Sequence, residues 1–317
     1  MVLKDPYDAR FEVPVAGGAL HVAHAGALPD EADAVVLALH GLTSSLMIWR
    51  TVARQLSRFT RLCFLAPDLR GRGRSAQLTG PFGFRPHVDD LLAVLDYFGV
   101  ERAVLAGHSL GAYIAAYLAE QHPERAASLV LVDSGMPFRD VPKGDPADVV
   151  EQAFGEAIGR LRMTFSSVDE YVARWHSHPA FARGWQPGFA HVWDDDVDAY
   201  ARYDVTGEPG SVRCVVSETA VIADSRDMLS DESTRTALDR VDAPVYILRA
   251  SRGVRGYDLP LIARHQLYRF AAKRPDAYVQ ETWGVNHYTL VLGGSHGPGR
   301  VATALARASR SAAPAPS

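Results

Sequence analysis

The sequence predicts an α/β fold built on a mostly parallel, doubly wound sheet. Short apolar runs of strand length alternate with amphipathic segments of helix length, which is the pattern of strands joined by helical crossovers. Polar residues follow the carboxyl ends of four apolar runs, namely His40, Asp68, Ser109 and Asp133. Because open α/β sheets bind ligands at the carboxyl ends of their strands, we expect the functional residues at this edge.

The predicted strands and helices follow one another along the chain. Gly17 and Gly18 separate the first two strands, which is a hairpin signal, and the later continuous apolar runs are typical of strands buried on both faces. Helices are indicated where apolar residues recur every three or four positions. The strands are expected at residues 11–15, 19–24, 34–39, 62–66, 103–106, 127–132, 243–250 and 277–282. The helices are expected at residues 46–56, 88–98, 112–122, 259–272 and 298–307.

The segment 138–238 differs in composition from the rest. Long apolar runs give way to aromatic and acidic residues, and residues 149–162 and 168–176 have helical spacing. We therefore expect an inserted, mainly helical cap at 138–238. The α/β core is then formed by residues 10–137 and 239–307.

Composition and charge limit the possible functions. The 317 residues carry a formal net charge of −4, which gives no electrostatic argument for binding nucleic acid or an anionic membrane. No signal peptide and no apolar run of membrane-spanning length is evident, so a cytoplasmic location is expected. Cys63 and Cys214 lack the spacing of a zinc site, and we expect neither a metal nor a cofactor. Residues 1–9 and 308–317 are expected to be flexible termini.

The strongest chemical signal is the stretch around Ser109. Gly107-His108-Ser109-Leu110-Gly111 matches G-x-S-x-G and lies between a predicted strand and a predicted Ala-rich helix. This is the context of a nucleophile elbow, in which a strained turn exposes the serine hydroxyl. The N-terminus of the helix favours negative charge at the same place. Ser109 is therefore the predicted nucleophile.

Four motifs in order give the sequence a resemblance to the α/β-hydrolase fold family over residues 10–307. They are His40-Gly41, the run Asp-Leu-Arg-Gly-Arg-Gly-Arg-Ser at 68–75, the elbow at Ser109, and Asn286-His287 after the last strand. The resemblance implies that His287 is the catalytic base. It also implies that the backbone N–H groups of Leu42 and Leu110 form the oxyanion hole.

Residues 40–50 also resemble the corresponding stretch of haloalkane dehalogenases. Those enzymes and the related epoxide hydrolases use an aspartate nucleophile, whereas Ser109 occupies that position here. The side chain of Leu42 offers no hydrogen-bond donor to a halide. Both chemistries are therefore disfavoured.

Two residues compete for the role of the acid that orients His287. The family commonly carries this acid as Gly-x-x-Asp soon after the strand expected at 243–250, but here the first acid, Asp258, comes eight residues beyond it. A minority of the family takes the acid from the end of the preceding core strand, where this chain has Asp133. We predict Asp133, because a rigid strand end orients a carboxylate better than a long loop does, and Asp258 is the alternative.

These residues predict a serine hydrolase that cleaves a carboxylic ester or lactone through an acyl-enzyme. The aromatic cap predicts a mid-sized, largely apolar substrate, with Trp175, Trp185 and Trp193 as candidate contacts. A small-molecule substrate is the expected partner, without nucleic acid or membrane, and the oligomeric state is left open. The alternatives are a carbon–carbon bond hydrolase or an acyltransferase on the same fold. A non-catalytic binding or signalling protein is least favoured, because binding alone does not need both Ser109 and His287.

Overall fold

The central sheet of the chain is mostly parallel and carries helices on both faces, so the α/β fold class predicted from the sequence is confirmed. The computed structural model describes residues 4–56, 61–137, 144–181, 192–256 and 258–312.

The strands and helices alternate along the chain as the sequence predicts. In the described residues the strands are β1 (Ala9–Val15), β2 (Gly18–Gly26), β3 (Ala34–Leu39), β4 (Leu62–Pro67), β5 (Ala103–His108), β6 (Ala126–Val132), β7 (Thr164–Phe165), β8 (Val205–Thr206), β9 (Val212–Cys214), β10 (Val245–Ala250) and β11 (Tyr278–Thr282). The α-helices there are α1 (Arg50–Leu56), α2 (Phe84–Tyr97), α3 (Leu110–Gln121), α4 (Pro146–Leu161), α5 (Val168–His176), α6 (Asp195–Tyr203), α7 (Glu218–Ser230), α8 (Glu232–Arg235), α9 (Arg264–Lys273) and α10 (His296–Ala312). None of these helices combines the length and the apolar character that crossing a bilayer requires.

Eight strands form the central sheet in the order β1-β2-β4-β3-β5-β6-β10-β11. The β1 hairpin with β2 and the pairing of β2 with β4 are antiparallel, and every other pair in this sheet is parallel. Leu37 of β3 pairs with Leu105 of β5, and Val130 of β6 pairs with Ala106. The carboxyl ends of β3, β5 and β6 therefore meet at one edge of the sheet.

Alternate residues of the central strands face two separate apolar cores. Leu37 and Leu105 belong to one core, which also contains α2 and α3 residues. Val36 and Ala106 belong to the other core, which contains α1 and α10 residues. Because side chains alternate across a strand, each buried strand contributes to both cores, and this explains why its sequence is apolar without interruption.

The segment between β6 and β10 contains α4 to α8 and a small antiparallel sheet in the order β7-β9-β8. Each of these five helices begins at a side chain that accepts a hydrogen bond from a backbone N–H group, as helix caps do. The capping residues are Asp145, Ser167, Asp194, Ser217 and Asp231. The sequence did not predict the small sheet, because strands of two or three residues are too short to show a period. We call the segment 138–238 the cap, and its boundaries stay a prediction.

The N-terminal residues are anchored, contrary to the expectation that residues 1–9 form a flexible terminus. Tyr7 is buried and its hydroxyl donates to the carbonyl of Leu46 at 2.7 Å. Asp5 forms a 2.8 Å ion pair with Arg50, and β1 begins at Ala9. A buried aromatic ring and a buried arginine therefore hold this arm, and neither contact leaves a local sequence signal. Residues 1–3 lie outside the described residues.

The C-terminal helix is longer than expected, so the assignment of residues 308–317 to a flexible terminus is wrong for its first part. α10 continues to Ala312. Ala308 and Ser309 are buried, and the Ser309 hydroxyl donates to the Leu305 carbonyl at 2.9 Å. Alanine favours helix, and burial of this face extends α10 beyond the last bulky apolar residue. Residues 313–317 lie outside the described residues.

Candidate active site

Ser109 lies in a tight turn between β5 and α3. Its backbone has φ 58° and ψ −123°, a conformation that a residue with a Cβ rarely adopts. A Cβ on Gly107 would lie 2.2 Å from the carbonyl oxygen of Gly111, and one on Gly111 would lie 2.3 Å from that of Leu39. The two glycines are therefore required by close backbone contacts. The turn leaves Ser109 half-buried, with its side chain outside the strand.

The loop after β3 passes directly beside the serine. A Cβ on Gly41 would lie 3.0 Å from the Cβ of Ser109 and 3.4 Å from its Oγ. Leu42 is the next residue of this loop, and Leu110 is the first residue of α3, so its N–H has no acceptor within the helix. The two residues whose N–H groups are predicted to form the oxyanion hole thus flank the elbow.

His40 fixes the peptide group between Gly41 and Leu42. Its Nδ1 donates to the carbonyl of Gly41 at 2.8 Å, and its Nε2 accepts the backbone N–H of Leu69 at 2.9 Å. Burial lowers the pKa of His40 to about 3, so the ring is neutral with its proton on Nδ1. The sequence pointed to His40 as part of a motif, but its action on the Leu42 N–H could only be read from the structure.

His287 and Asp133 are joined by a hydrogen bond. His287 Nδ1 lies 2.8 Å from Asp133 Oδ2, and both residues are buried. The other carboxylate oxygen of Asp133 accepts the backbone N–H of Ala250 at 2.8 Å, and the Asp133 N–H donates to Leu248 at 2.7 Å. The neighbouring strand β10 therefore holds both the carboxylate and the backbone N–H of Asp133. The backbone of Asp133 has a positive φ of 52°.

The protonation of His287 follows from its burial. Burial lowers the pKa of His287 to about 4, and the negative charge of Asp258 opposes that shift. The imidazole is therefore neutral at neutral pH. With the Nδ1 proton directed at Asp133, the free electron pair of the ring lies on Nε2.

Asp258 does not form a hydrogen bond with His287, although both residues are described. Its Oδ1 accepts the backbone N–H of Arg255 at 2.9 Å, and its carbonyl accepts that of Gly253 at 3.1 Å. The Gly253 carbonyl in turn accepts the N–H of His287 at 3.4 Å. Asp258 thus shapes the loop that holds the His287 backbone, and Asp133 orients the ring.

His108, next to the serine, packs against His287. Its Nε2 donates to the His287 carbonyl at 3.0 Å, and the two ring centroids are 4.3 Å apart. Burial, and secondarily the neighbouring His287, keep the pKa of His108 well below its usual value. The neutral His108 ring therefore has a packing and hydrogen-bonding role beside His287.

Asp68 has no free carboxylate oxygen for chemistry. Oδ1 accepts the N–H of Leu46 at 2.8 Å, and Oδ2 accepts the N–H of Arg74 at 2.9 Å and the hydroxyl of Tyr203 at 2.6 Å. The Asp68 carboxylate therefore joins the core segments at Leu46 and Arg74 to Tyr203 of the cap.

The cap places an aromatic cluster beside His287. The ring of Tyr288 lies 5.8 Å from that of His287, 5.5 Å from that of Trp175 and 5.6 Å from that of Phe181. Trp193 belongs to the edge of this cluster, with its ring 5.8 Å from Phe181. We call Trp175, Phe181 and Trp193, the members of this cluster that belong to the cap, the cap aromatics.

Trp185, the third tryptophan predicted to contact substrate, lies outside the described residues. Within the described ranges, no group of three or more His, Cys, Asp or Glu side chains is arranged to hold a metal ion.

Comparison with known proteins identifies relatives with the same fold. A family model described as alpha/beta hydrolase fold matches residues 34–293. The chain is 28% identical over 256 residues to the 2-(acetamidomethylene)succinate hydrolase of Mesorhizobium japonicum, across 80% of this chain and 81% of that protein. The crystal structure of E-2-(acetamidomethylene)succinate hydrolase has a TM-score of 0.73 with this chain at 22% identity, covering 94% of this chain and 98% of the other. The structural likeness shows a shared fold.

Two other relatives match over shorter stretches. Protein ABHD8 of Homo sapiens is 33% identical over 111 residues, which are 34% of this chain and 25% of that protein. Lipase LipV of Mycobacterium tuberculosis is 38% identical over 114 residues, which are 36% of this chain and 41% of that protein. The match thus spans about a quarter of the length of ABHD8, and it carries no more than a local likeness.

Proposed function

Because the chain belongs to the α/β hydrolase fold family, we propose that it is a hydrolase that cleaves a carboxylic ester or lactone through an acyl-enzyme on Ser109. The observation that carries this proposal is the hydrogen bond between His287 Nδ1 and Asp133 Oδ2, at the same sheet edge as the strained serine. A neutral histidine oriented by a buried carboxylate is what a serine needs to become a nucleophile.

The chemical steps follow from these positions. Ser109 Oγ attacks the carbonyl carbon while its proton passes to His287 Nε2, giving a tetrahedral intermediate and an imidazolium. The intermediate expels the alcohol, which takes that proton, and Ser109 keeps the acyl group. Water then attacks the acyl-enzyme by the same route, and the acid product and Ser109 are released. Asp133 stabilises the imidazolium at both stages.

The negative oxygen of each tetrahedral intermediate needs hydrogen-bond donors. The N–H of Leu110 supplies one, because the first turn of α3 leaves it without an intrahelical acceptor. The N–H of Leu42 supplies the other, from the loop in contact with Ser109. Preorganised donors of this kind are worth about 10²–10³ in turnover each.

The cap supports the choice of an apolar substrate. Trp175 and Phe181 are buried against Tyr288, the neighbour of His287, so the cap side of the site is aromatic. The relative LipV is named a lipase. An ester or lactone with a mid-sized, largely apolar acyl or alcohol group fits such surroundings.

One comparison favours a second candidate. The relative that matches along four fifths of both chains is named for the hydrolysis of 2-(acetamidomethylene)succinate, a name that specifies carboxylates and an acetamide but no ester. A hydrolase of a bond other than an ester, which includes carbon–carbon bond hydrolysis, is therefore the second candidate. It would use the same serine and histidine.

A substrate panel with a serine variant tests the proposal. p-Nitrophenyl esters of graded chain length, lactones and 2-(acetamidomethylene)succinate are offered to the wild type and to Ser109→Ala. We expect ester turnover that Ser109→Ala lowers by roughly 10³–10⁶-fold, with circular dichroism unchanged. A fluorophosphonate should label the wild type at Ser109 and leave Ser109→Ala unlabelled.

The outcomes separate the candidates. Turnover of the succinate alone would replace the ester proposal by the second candidate. Ester turnover that survives in a folded Ser109→Ala protein would overturn the role of Ser109 altogether. If added alcohols speed up the reaction and are themselves converted to new esters, the protein is an acyltransferase.

A further inference from the structure

A fully buried arginine links the loop of Leu42 to the cap. Arg72 has no solvent-exposed side-chain surface. Its Nε donates to the Leu42 carbonyl at 3.1 Å, and one terminal nitrogen donates to the Arg70 carbonyl at 2.9 Å. The other terminal nitrogen lies 2.6 Å from a carboxylate oxygen of Asp224. One guanidinium thus contacts the loop of Leu42, its own loop at Arg70 and the cap at Asp224.

Asp224 belongs to α7 and is the cap's own contribution to this network. It is also fully buried, and it accepts the N–H of Gly83 at 3.0 Å and lies 3.0 Å from Nε2 of His87. Burial disfavours its charge, but Arg72 and then His87 hold the pKa of this carboxyl below its usual value. The buried positive charge of Arg72 is therefore balanced by a residue that only the docked cap provides.

The contact with Leu42 bears on the oxyanion hole. The N–H of Leu42 belongs to the peptide group whose oxygen is the Gly41 carbonyl, and His40 holds that oxygen at 2.8 Å. The next peptide group carries the Leu42 carbonyl, which Arg72 holds. Hydrogen bonds on both sides of its Cα fix the two backbone dihedrals of Leu42, and with them the direction of its N–H.

The cap reaches the same loop at a second point. Arg160 of α4 donates to the carbonyl of Thr43 at 3.2 Å, and Asp204, also in the cap, pairs with Arg160 at 2.6 Å. Two successive carbonyl groups, those of Leu42 and Thr43, are therefore held by arginines whose partner carboxylates both come from the cap.

We propose that Arg72 and Asp224 are positioning residues that make the oxyanion N–H of Leu42 dependent on the docked cap. This inference rests on the proposed function, since it assigns the pair to the stabilisation of the tetrahedral oxyanion. Cap docking supplies Asp224, Asp224 keeps the Arg72 guanidinium in place, and the guanidinium fixes Leu42. The cap thus contributes to the chemical step as well as to the substrate-binding surface.

The test compares an ester with the thionoester of the same acyl group and the same leaving group. Sulfur is a weaker hydrogen-bond acceptor than oxygen, so the thionoester gains less from a well-placed N–H. Asp224→Asn keeps the acceptor for Gly83 but removes the charge that holds Arg72. We expect it to lower kcat/KM for the ester roughly 10–100-fold, a partial loss of the 10²–10³ attributed to one oxyanion donor, and to lower that of the thionoester about threefold or less.

Asp227→Asn is the matched control. Asp227 is in the same helix and also accepts a backbone N–H at the start of α2, that of Phe84 at 2.8 Å, but the loop of Leu42 is not among its contacts in the described residues. Asp227→Asn should leave the ratio of kcat/KM for the ester to kcat/KM for the thionoester within about twofold of the wild-type value, as expected of a change outside the catalytic unit.

A second variant covers the case in which Asp224→Asn does not fold. The double variant Arg72→Gln/Asp224→Asn removes both charges and leaves no unpaired buried ion. It lacks the guanidinium at the Leu42 carbonyl, so it should show the same fall in the ester-to-thionoester ratio. Binding of a trifluoromethyl ketone, which forms an oxyanion on Ser109, should weaken in both variants by the same factor as the ester rate.

Each result has a separate meaning. Equal losses for ester and thionoester, or an unchanged ratio in the double variant, would overturn the positioning role and leave Asp224 as a structural contact. The same fall in ratio in Asp227→Asn would also overturn it. Wild-type turnover that does not depend on Ser109 would instead overturn the proposed function itself, which the Ser109→Ala measurement reports independently.

Discussion

The carboxylate of Asp133 lies 2.8 Å from Nδ1 of His287, although 154 residues separate them in sequence. Asp258 is much nearer in sequence, yet its hydrogen bonds go to Arg255 and Gly253 within its own loop. We therefore infer that the end of β6, and not the loop after β10, provides the acid of the proposed triad.

This geometry predicts different results for the two acids. Asp133→Asn should lower turnover by roughly 10³–10⁴-fold, because an amide favours the wrong tautomer of His287. Asp258→Asn should cost about tenfold or less, since it disturbs a loop outside the catalytic unit. Steady-state kinetics on the best ester measure both, after circular dichroism shows that each variant is folded. A severe loss in Asp258→Asn with Asp133→Asn nearly intact would reverse the assignment.

The burial of His287 predicts an unusual pH profile. Burial disfavours the imidazolium, so the pKa falls from near 6.5 to about 4 and the basic form persists as the pH is lowered. kcat/KM, which reports the free enzyme, should stay level from neutral pH down to about pH 5 and reach half its plateau near pH 4. Because the charge of Asp258 raises this pKa, Asp258→Asn should move the acidic limb to still lower pH.

Irreversible unfolding in acid would imitate such a limb. Enzyme held at the lowest pH and returned to neutral pH must recover full activity for the profile to count. A half-maximal point at or above pH 6.5 would contradict the proposed state of His287.

The elbow glycines predict a stability difference. Gly111→Ala would place a Cβ 2.3 Å from the Leu39 carbonyl oxygen. Relieving this clash requires the backbone of β3 or α3 to move, because the contacting atom belongs to the main chain. We expect the free energy of unfolding to fall by about 3 kcal/mol or more. Gly159→Ala in α4 is the control, because a Cβ there meets no atom within 4 Å and alanine favours helix, so it should raise stability by up to about 1 kcal/mol. Urea titrations measure both, and similar midpoints would show that the elbow tolerates a side chain.

The cap aromatics predict a change of selectivity. Trp175→Ala should change the preference among acyl or alcohol groups more than it changes the best kcat, because Trp175 packs on Tyr288 beside His287. Trp193→Ala should act in the same direction but more weakly, since Trp193 reaches the cluster through Phe181. Ratios of kcat/KM across the ester panel measure the effect.

Trp283→Ala is the control for this series. Trp283 is 65% exposed and its ring lies under the guanidinium of Arg264, so Trp283→Ala should leave the ratios unchanged. Unchanged ratios in Trp175→Ala would mean that the cap aromatics do not contact substrate, and Trp185→Ala extends the same comparison to the third predicted tryptophan.

The sequence by itself determined the fold class and the elbow. Continuous apolar strands, helical spacing and the order of the motifs are local properties, and they are enough to predict a parallel sheet with its polar residues at one edge. Ser109 and Leu110 could be predicted because the strand, turn and helix that position them are contiguous in the chain, and two glycines leave little conformational choice.

Only the tertiary structure decided which groups surround the serine. The hydrogen bond of Asp133 depends on β10 lying next to β6, and the ion pair of Arg72 with Asp224 depends on how the cap docks. The same holds for Tyr7, whose buried hydroxyl anchors an arm that looks flexible in sequence. Each of these contacts joins distant residues through the packing of other elements. The free energy of burying them is fixed by that packing and not by their neighbours in the chain, so no local pattern records it.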